Sequence, residues 1–384
     1  MIKVSLRPNL IYPFYLIMWT FLRKIVSIII SKVFKFKGSI IYTFLMFFGE
    51  ISGGLFFYLN QKSYFKKKFS VKTTPKFEHS FITNNALIKR IDSNIKILFL
   101  FVMTAFFDFF EFLVSTYEIG KIPKISGTLQ IRLEGFLIII SSLVCYFTLK
   151  FPIFKHHIFS LIVMGISLLI LIISEFLFQT FDLILSVKNL FLSILFSILC
   201  HLSMAFNNSI EKYIIHVNSI SPYKLLFIQG IIGLIFIIIY SFFEDAISDL
   251  KKMYNNNSAG MFTLFLFLLL LYTIFGMLKN VYRMTTVMLF SPMNKHLADI
   301  FINPIYIIYY FAAGGDFSNN NDKNYGYFFL NLILLIICDI CGMIYNEFLV
   351  INCCGLEYNT YDSVAIRAST LDELDTITDE EDDI

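Results

Sequence analysis

The chain has 384 residues, of which 57% are hydrophobic and only 15% are charged, and its mean hydropathy is +0.72. Soluble cores do not use so much apolar surface, whereas repeated apolar windows of about 20 residues suit helices that cross a bilayer. The formal net charge of +3 is too small to indicate nucleic-acid binding, and the basic residues cluster between apolar runs. Composition therefore predicts an all-α, multi-pass membrane protein embedded in a lipid bilayer and excludes a soluble domain.

Ten apolar runs long enough to span a membrane follow one another along the chain. A polar, basic loop at 61–91 separates the second run from the third. In order the runs are 9–31, 39–60, 94–116, 128–149, 158–179, 188–206, 223–243, 261–287, 288–313 and 327–351. Because ten is even, both termini lie on one side of the membrane. With that side cytosolic, the cytosolic segments carry about twice the Lys and Arg of the lumenal ones, although Lys32, Lys35 and Lys37 argue the other way.

The chain divides near Asp182 into two halves with five runs each. An odd number of spans places two related halves in opposite orientations about a central site. We therefore divide the chain into a cytosolic N-terminus at 1–8, a first repeat at 9–182, a second repeat at 183–352 and a tail at 353–384. The tail ends in TLDELDTITDEEDDI, which has too little apolar surface to fold alone, so we expect it to be disordered in the cytosol.

Several charged residues interrupt the eighth and ninth runs. A charge at mid-bilayer depth costs roughly 2.5–3.5 kcal/mol on insertion scales, so such residues usually face a bundle interior or an aqueous cavity. Lys279 and Arg283 share a helical face and offer undivided positive charge, whereas Lys295 and Asp299 can neutralise each other. This arrangement favours an anionic solute. The alternative is that all four side chains extend to the cytosolic interface and only punctuate two helices.

Acidic residues stand inside the second and third runs. Glu50 has neither Lys nor Arg within four residues, so its ionised form needs a partner on another helix. Asp108 and Glu111 share one helical face, and their mutual repulsion disfavours ionisation of both, as in a proton-coupling site. The alternative for this pair is an ion-pair network with Arg132 or Arg23. We expect these carboxylates to act in gating or coupling.

Five stretches, in their order and spacing, resemble the drug/metabolite transporter superfamily (EamA-like), and within it solute carrier family 35 near its F-type, nucleotide-sugar-transporter-like members. They are MFFGE at 46–50, Asp108 in the third run, residues 129–169, residues 210–234, and SPMNKHLAD at 291–299. The resemblance covers most of 39–349. It implies an alternating-access carrier of a small anionic metabolite, such as a nucleotide sugar. The carrier would have two inverted five-helix repeats, with spans one to four and six to nine around a central cavity and spans five and ten at the periphery.

The resemblance and the charge pattern together nominate a set of solute-binding residues. They are Glu50, Asp108, Gln130, Arg132, Lys279, Asn280, Arg283, Asn294, Lys295 and Asp299. Arg132 follows Gln130 by two residues where the family usually has three, which rotates its side chain by about 100° and leaves its facing open. Gln229 stands before Gly230 where the family commonly has a glutamate.

Other candidate residues fit packing better than chemistry. Cys338 and Cys341 form a C-x-x-C inside the last run without further ligands, and Cys packs as a small apolar residue. His156, His157 and His201 lack the spacing of a metal site. We expect no metal, no cofactor and, without a nucleophile and its base, no enzyme.

The remaining expectations concern topology and location. The sequon that begins at Asn256 lies in a predicted lumenal loop, whereas the one that begins at Asn207 lies in a predicted cytosolic segment. The resemblance implies an internal membrane, of the Golgi, the endoplasmic reticulum or the lysosome or vacuole. The rival function is a membrane scaffold or regulatory protein without transport activity. The oligomeric state stays open, a homodimer included.

Overall fold

The computed structural model describes residues 11–36, 38–68, 93–121, 133–150, 153–178, 183–242, 250–251, 253–255, 258–289, 294–312, 318–319, 322–323, 325–351, 356 and 360. Within these residues the protein is all-α, as predicted, apart from a two-residue antiparallel ladder between β1 (Ser318–Asn319) and β2 (Asp322–Lys323).

Ten helices of 15 residues or more account for most of the described chain. They are α1 (Ile11–Phe34), α2 (Ser39–Lys68), α3 (Asn94–Lys121), α4 (Gly135–Leu149), α5 (Lys155–Phe178), α6 (Leu183–His216), α7 (Pro222–Ser241), α8 (Ala259–Leu289), α9 (Asn294–Ala312) and α10 (Tyr325–Tyr345). Each of them overlaps one of the ten apolar runs, in the same order.

Eight of these helices are long and apolar enough to cross a membrane, so the protein is a multi-pass helical membrane protein. The predicted count of ten spans is not reached within the described residues. The apolar segments of the other two helices are shorter, Gly135–Leu149 in α4 and Ala298–Tyr309 in α9. In α9 the polar sequence NKH that opens the helix shortens the apolar segment. Before α4, residues 122–132 lie outside the described part of the chain.

Two helices extend beyond the apolar runs that predicted them. The basic loop predicted from residue 61 begins as helix, because α2 continues to Lys68. Helix α6 continues through the polar sequence NNSIEK to His216. The chain then turns at Ser219, whose φ is 55°, and Pro222 begins α7, since proline fits the first helical position. Hydropathy marks where a run stops being apolar, and α6 persists beyond that point because its polar side chains find partners inside the protein.

Close helix contacts hold the bundle together, with α2 against α7, α1 against α8, α3 against α6, α4 against α6 and α5 against α10. The contact of α2 with α7 depends on glycine. A Cβ on Gly54 would lie 2.5 Å from the backbone nitrogen of Phe227, and one on Gly230 would lie 2.9 Å from the carbonyl oxygen of Phe47. Such distances leave no room for a side chain, so small residues set this close approach.

Apolar clusters surround the middle of the bundle without filling it. The largest joins α4, α5, α9 and α10 and contains both residues of the C-x-x-C, Cys338 and Cys341, each buried among aliphatic and aromatic side chains. Further clusters join α1 to α8, and α3 to α6, α7 and α8. Polar and charged side chains line a space in the centre.

Candidate functional site

A cavity of about 340 Å³ lies between α1, α2, α3, α6, α8 and α9. Its volume falls within the range of small-molecule sites. The charged residues in its wall are Arg23, Asp108, Glu111, Lys279, Arg283 and Asp299, and the amide and imidazole residues are Asn207, Asn208, Asn280 and His296. Helices α4, α5, α7 and α10 contribute no wall residue from the described part of the chain. The wall therefore comes from six of the eight helices that the resemblance implied.

Helices α8 and α9 meet through an ion pair at the cavity. The Nζ atom of Lys279 donates a hydrogen bond to Oδ1 of Asp299 at 3.1 Å, and both side chains keep part of their surface open. The sequence had predicted that Lys295, on the same helix, can neutralise Asp299. The structure gives Asp299 a basic partner on α8, and the pairing with Lys295 stays a prediction. The side chain of Lys295 lies outside the described residues.

Arg283 joins three helices by contacting two carboxylates. Its Nη2 lies 3.3 Å from Oε1 of Glu211 on α6 and 3.6 Å from Oε1 of Glu50 on α2. Asn280 also donates a hydrogen bond to Glu50, at 3.2 Å. Glu50 therefore has the partner on another helix that its isolation in the sequence required.

The sequence predicted that Lys279 and Arg283 offer positive charge that no nearby acidic residue neutralises. These contacts correct that prediction. Each basic side chain is matched by a carboxylate from a neighbouring helix. The physical reason is that an uncompensated charge inside a bundle is costly, and neighbouring helices here supply the counter-charge.

Asp108 connects α3 to two further helices. Its carboxylate accepts hydrogen bonds from Asn207 of α6 and from Gln229 of α7. Arg23, one of the two basic residues of the alternative ion-pair network, donates to the hydroxyl of Tyr272 at 2.7 Å and lies over the ring of that tyrosine. Arg132, the other, lies outside the described residues. Amide donors hold Asp108 in place without adding positive charge to the cavity.

Sequence reasoning missed the polar segment of α6. Asn207 and Asn208 line the cavity, Asn208 contacts the imidazole of His296, and the fully buried Lys212 donates to the backbone carbonyl of Val287 at 3.0 Å. Asn207 is 1% exposed within a helix, so its sequon does not lie in a loop. The signal was in the sequence, since polar residues at 207, 208, 211 and 212 repeat with the i, i+4 spacing of one helical face.

The structure thus brings together six of the ten nominated residues: Glu50, Asp108, Lys279, Asn280, Arg283 and Asp299. Gln130 and Arg132 lie outside the described residues. Asn294 and Lys295 belong to the first turn of α9, and their side chains lie outside the described residues as well.

A second polar cluster lies away from the cavity, where α5 begins and α10 ends. Nε2 of His156 is 3.2 Å from Oε1 of Glu347, and Nδ1 of His157 accepts a hydrogen bond from the backbone N–H of Phe154 at 3.1 Å. Ligand atoms of His156, His157 and Glu347 lie within 4.8 Å of one another, close enough to share an ion. Both imidazoles are buried, and His157 already uses one ring nitrogen in a backbone hydrogen bond.

Comparison with protein-family models and with curated proteins finds no match. The class that the fold and the cavity define is a multi-pass helical membrane protein whose charged side chains surround a hollow inside the bundle.

Proposed function

We propose that the protein is a carrier that moves a small charged solute across an internal membrane by alternating access, without chemical change to the solute. The observation that supports this most directly is the cavity, which six helices enclose and to which four of them contribute charged residues. Buried ionisable residues around an aqueous space are expensive to keep and mark substrate or ion pathways in membrane proteins. The resemblance to solute carrier family 35 in the sequence points to the same function.

The helix contacts support two inverted five-helix repeats. Exchanging the two repeats replaces each helix by the one whose number is five higher or lower. The contact of α1 with α8 then corresponds to that of α6 with α3, and the contact of α4 with α6 corresponds to that of α9 with α1. In the same way α2 with α8 becomes α7 with α3, and α4 with α5 becomes α9 with α10. Contacts of all these kinds occur, and the pairs α2 with α7 and α5 with α10 map onto themselves. Inverted repeats related by a pseudo-twofold axis produce this pattern.

The two ends of the bundle are packed differently, as one state of an alternating-access carrier should be. At the α6–α7 end, one apolar cluster joins four helices, with Phe101 of α3, Ile214 of α6, Leu226 of α7 and Met284 of α8 among its members. At the opposite end, one cluster joins α1, α8 and the start of α2, and a separate cluster joins α2, α3 and α7. Tyr42, which packs against the first of these clusters, and Thr43 both belong to the cavity wall.

The ion pairs around the cavity change the charge that we expect of the solute. The predicted anionic, nucleotide-sugar-like solute depended on Lys279 and Arg283 as unmatched cations, and both now have carboxylate partners. Arg23, which contacts a tyrosine, is the wall residue best suited to an anionic group. We retain a small charged metabolite as the solute class.

The test is transport by purified protein reconstituted in liposomes. Radiolabelled nucleotide sugars, nucleotides, organic cations and amino acids are each assayed for counterflow, with protein-free liposomes as the control. Saturable counterflow of one class supports the carrier. If no solute moves while the protein remains folded and monodisperse, the scaffold function replaces it.

The same proposal places both termini in the cytosol. A tag fused after Ile384 should then be digested by protease added to sealed microsomes, because it lies outside the vesicle. Protection of the tag would reverse the orientation.

A further inference from the structure

We infer that Glu111 binds a protonated amino group of the solute. This inference rests on the proposed carrier function and adds the chemical group that the central cavity recognises. It follows from which charges in the wall are matched and which are left over.

The charged groups in the cavity wall are equal in number, because Arg23, Lys279 and Arg283 stand against Asp108, Glu111 and Asp299. Behind the wall, Glu50 and Glu211 contact Arg283, and the buried Lys212 follows Glu211 in the chain. What matters is therefore how these charges are paired. A buried charge without a partner is costly, so a wall carboxylate that lacks one needs a proton or a cationic group.

Glu111 is the wall carboxylate that these pairings leave over. Asp299 is paired with Lys279, Asp108 accepts bonds from two amides, and the two carboxylates behind the wall share Arg283. No hydrogen bond or ion pair to any described residue holds the carboxylate of Glu111, which is half-buried and faces the cavity. It is the wall carboxylate that is free to meet a ligand.

Its surroundings offer acceptors and aromatic rings. The Oδ1 atoms of Asn207 and Asn208 are buried without a hydrogen-bond partner among the described residues. Their amide groups are oriented by donation to Asp108 and by contact with His296, which leaves the oxygens as acceptors. The rings of Tyr42 and Phe112 line the same cavity. An ammonium group has three donors and no acceptor and is attracted to aromatic faces, so it matches this wall.

A protonated amine can belong to an organic monocation or to a zwitterion such as an amino acid. Arg23 distinguishes the two sources, because it lines the cavity, contacts only tyrosine among its described hydrogen-bond partners, and would meet the carboxylate of a zwitterion.

The experiment measures counterflow and binding for wild type, Glu111→Gln and Glu111→Asp, with Asp339→Asn as the matched control. Asp339 is also a buried carboxylate, but it lies in α10, outside the cavity wall. Binding is followed by the shift in thermal unfolding that tyramine, arginine, leucine and their deaminated analogues produce. Because a hydrogen bond to a charged group is worth more than a neutral one, Glu111→Gln should weaken binding of amine-bearing solutes roughly 10- to 100-fold. Glu111→Asp should retain part of the affinity, and Asp339→Asn all of it.

The outcomes separate this inference from the carrier itself. If amines stabilise wild type but not Glu111→Gln, and no solute crosses the membrane, amine recognition holds and transport fails. If solutes cross and Glu111→Gln carries amines as well as wild type does, the carrier holds and amine recognition fails. An equal loss for amine-bearing and amine-free solutes would also overturn amine recognition, because it assigns Glu111 to proton coupling. Loss of leucine but not tyramine in Arg23→Gln identifies the zwitterion, and equal retention of both identifies the monocation.

Discussion

The central cavity and the α5–α10 face bury polar groups in opposite ways. Around the cavity, Arg283 and Lys279 reach across to carboxylates on other helices, and the paired groups border a hollow of about 340 Å³. At the α5–α10 face, His156 meets Glu347, and the hydroxyl of Tyr345 donates to Ser142 at 2.8 Å, beside a continuous apolar cluster. The polar groups of the second region hold helices together, whereas those of the first region also line an open cavity.

This difference distinguishes charged residues that only hold helices together from charged residues that can bind a solute. Both regions satisfy most of their polar groups, so burial and pairing alone do not identify a site. What distinguishes the cavity is a remainder, because Glu111 faces open space without a partner among the described residues. Packing does not require such a remainder, but recognition of a ligand does.

The largest expected effect comes from replacing Arg283, which contacts two buried carboxylates beside the cavity. Arg283→Gln leaves Glu50 and Glu211, which are 1% and 0% exposed, without their shared counter-charge. Removing one partner of a buried pair costs about 3–5 kcal/mol, so the variant should unfold at a clearly lower temperature in detergent. Adding Glu211→Gln should recover part of the loss. If Arg283→Gln melts with the wild type, the contacts are not a stabilising network.

How far the sequence predicted this arrangement can be judged from particular residues. The helical membrane class and the order of the helices follow from apolar runs, because the length of a span is set by the bilayer. The importance of Glu50, Asp108, Lys279 and Arg283 follows from their isolation inside those runs. Their partners do not, because a pairing such as Lys279 with Asp299 depends on how two helices are rotated against each other.

The end of α6 shows a second limit of prediction from sequence. Hydropathy ended the sixth run at residue 206, yet the helix continues to His216. Glu211 and Lys212 are both fully buried there, which a polar composition does not suggest. Their burial depends on Arg283 and on the carbonyl of Val287, both about 70 residues away in the chain. Only the i, i+4 spacing of the polar residues was visible beforehand.

A smaller effect is expected from the α5–α10 face. Glu347→Gln removes the carboxylate beside His156, and an unsatisfied buried polar group costs about 1–3 kcal/mol. Thermal unfolding should shift down, while counterflow per folded molecule stays at the wild-type value because the pair lies outside the cavity wall. Loss of flux without loss of stability would place this face in the transport cycle and remove the distinction between the two regions. Leu349, which lies close by, allows a control variant Leu349→Met that keeps the charges.

Replacing Lys279, in the cavity wall, should change stability least of the three substitutions while clearly lowering the flux of solute. Lys279 and Asp299 are 20% and 26% exposed, so water screens their ion pair, and pairs of this kind contribute about 0–1 kcal/mol. Lys279→Gln should therefore fold and melt almost as wild type does, yet transport less, because the cavity loses a charge that a passing solute meets. Counterflow and thermal unfolding measured on the same preparation give both quantities. Lys224→Gln, on an exposed position of α7, is the matched control. Unchanged flux in Lys279→Gln would mean that the ion pair only holds α8 against α9. The pair would then have a structural role and no role in transport.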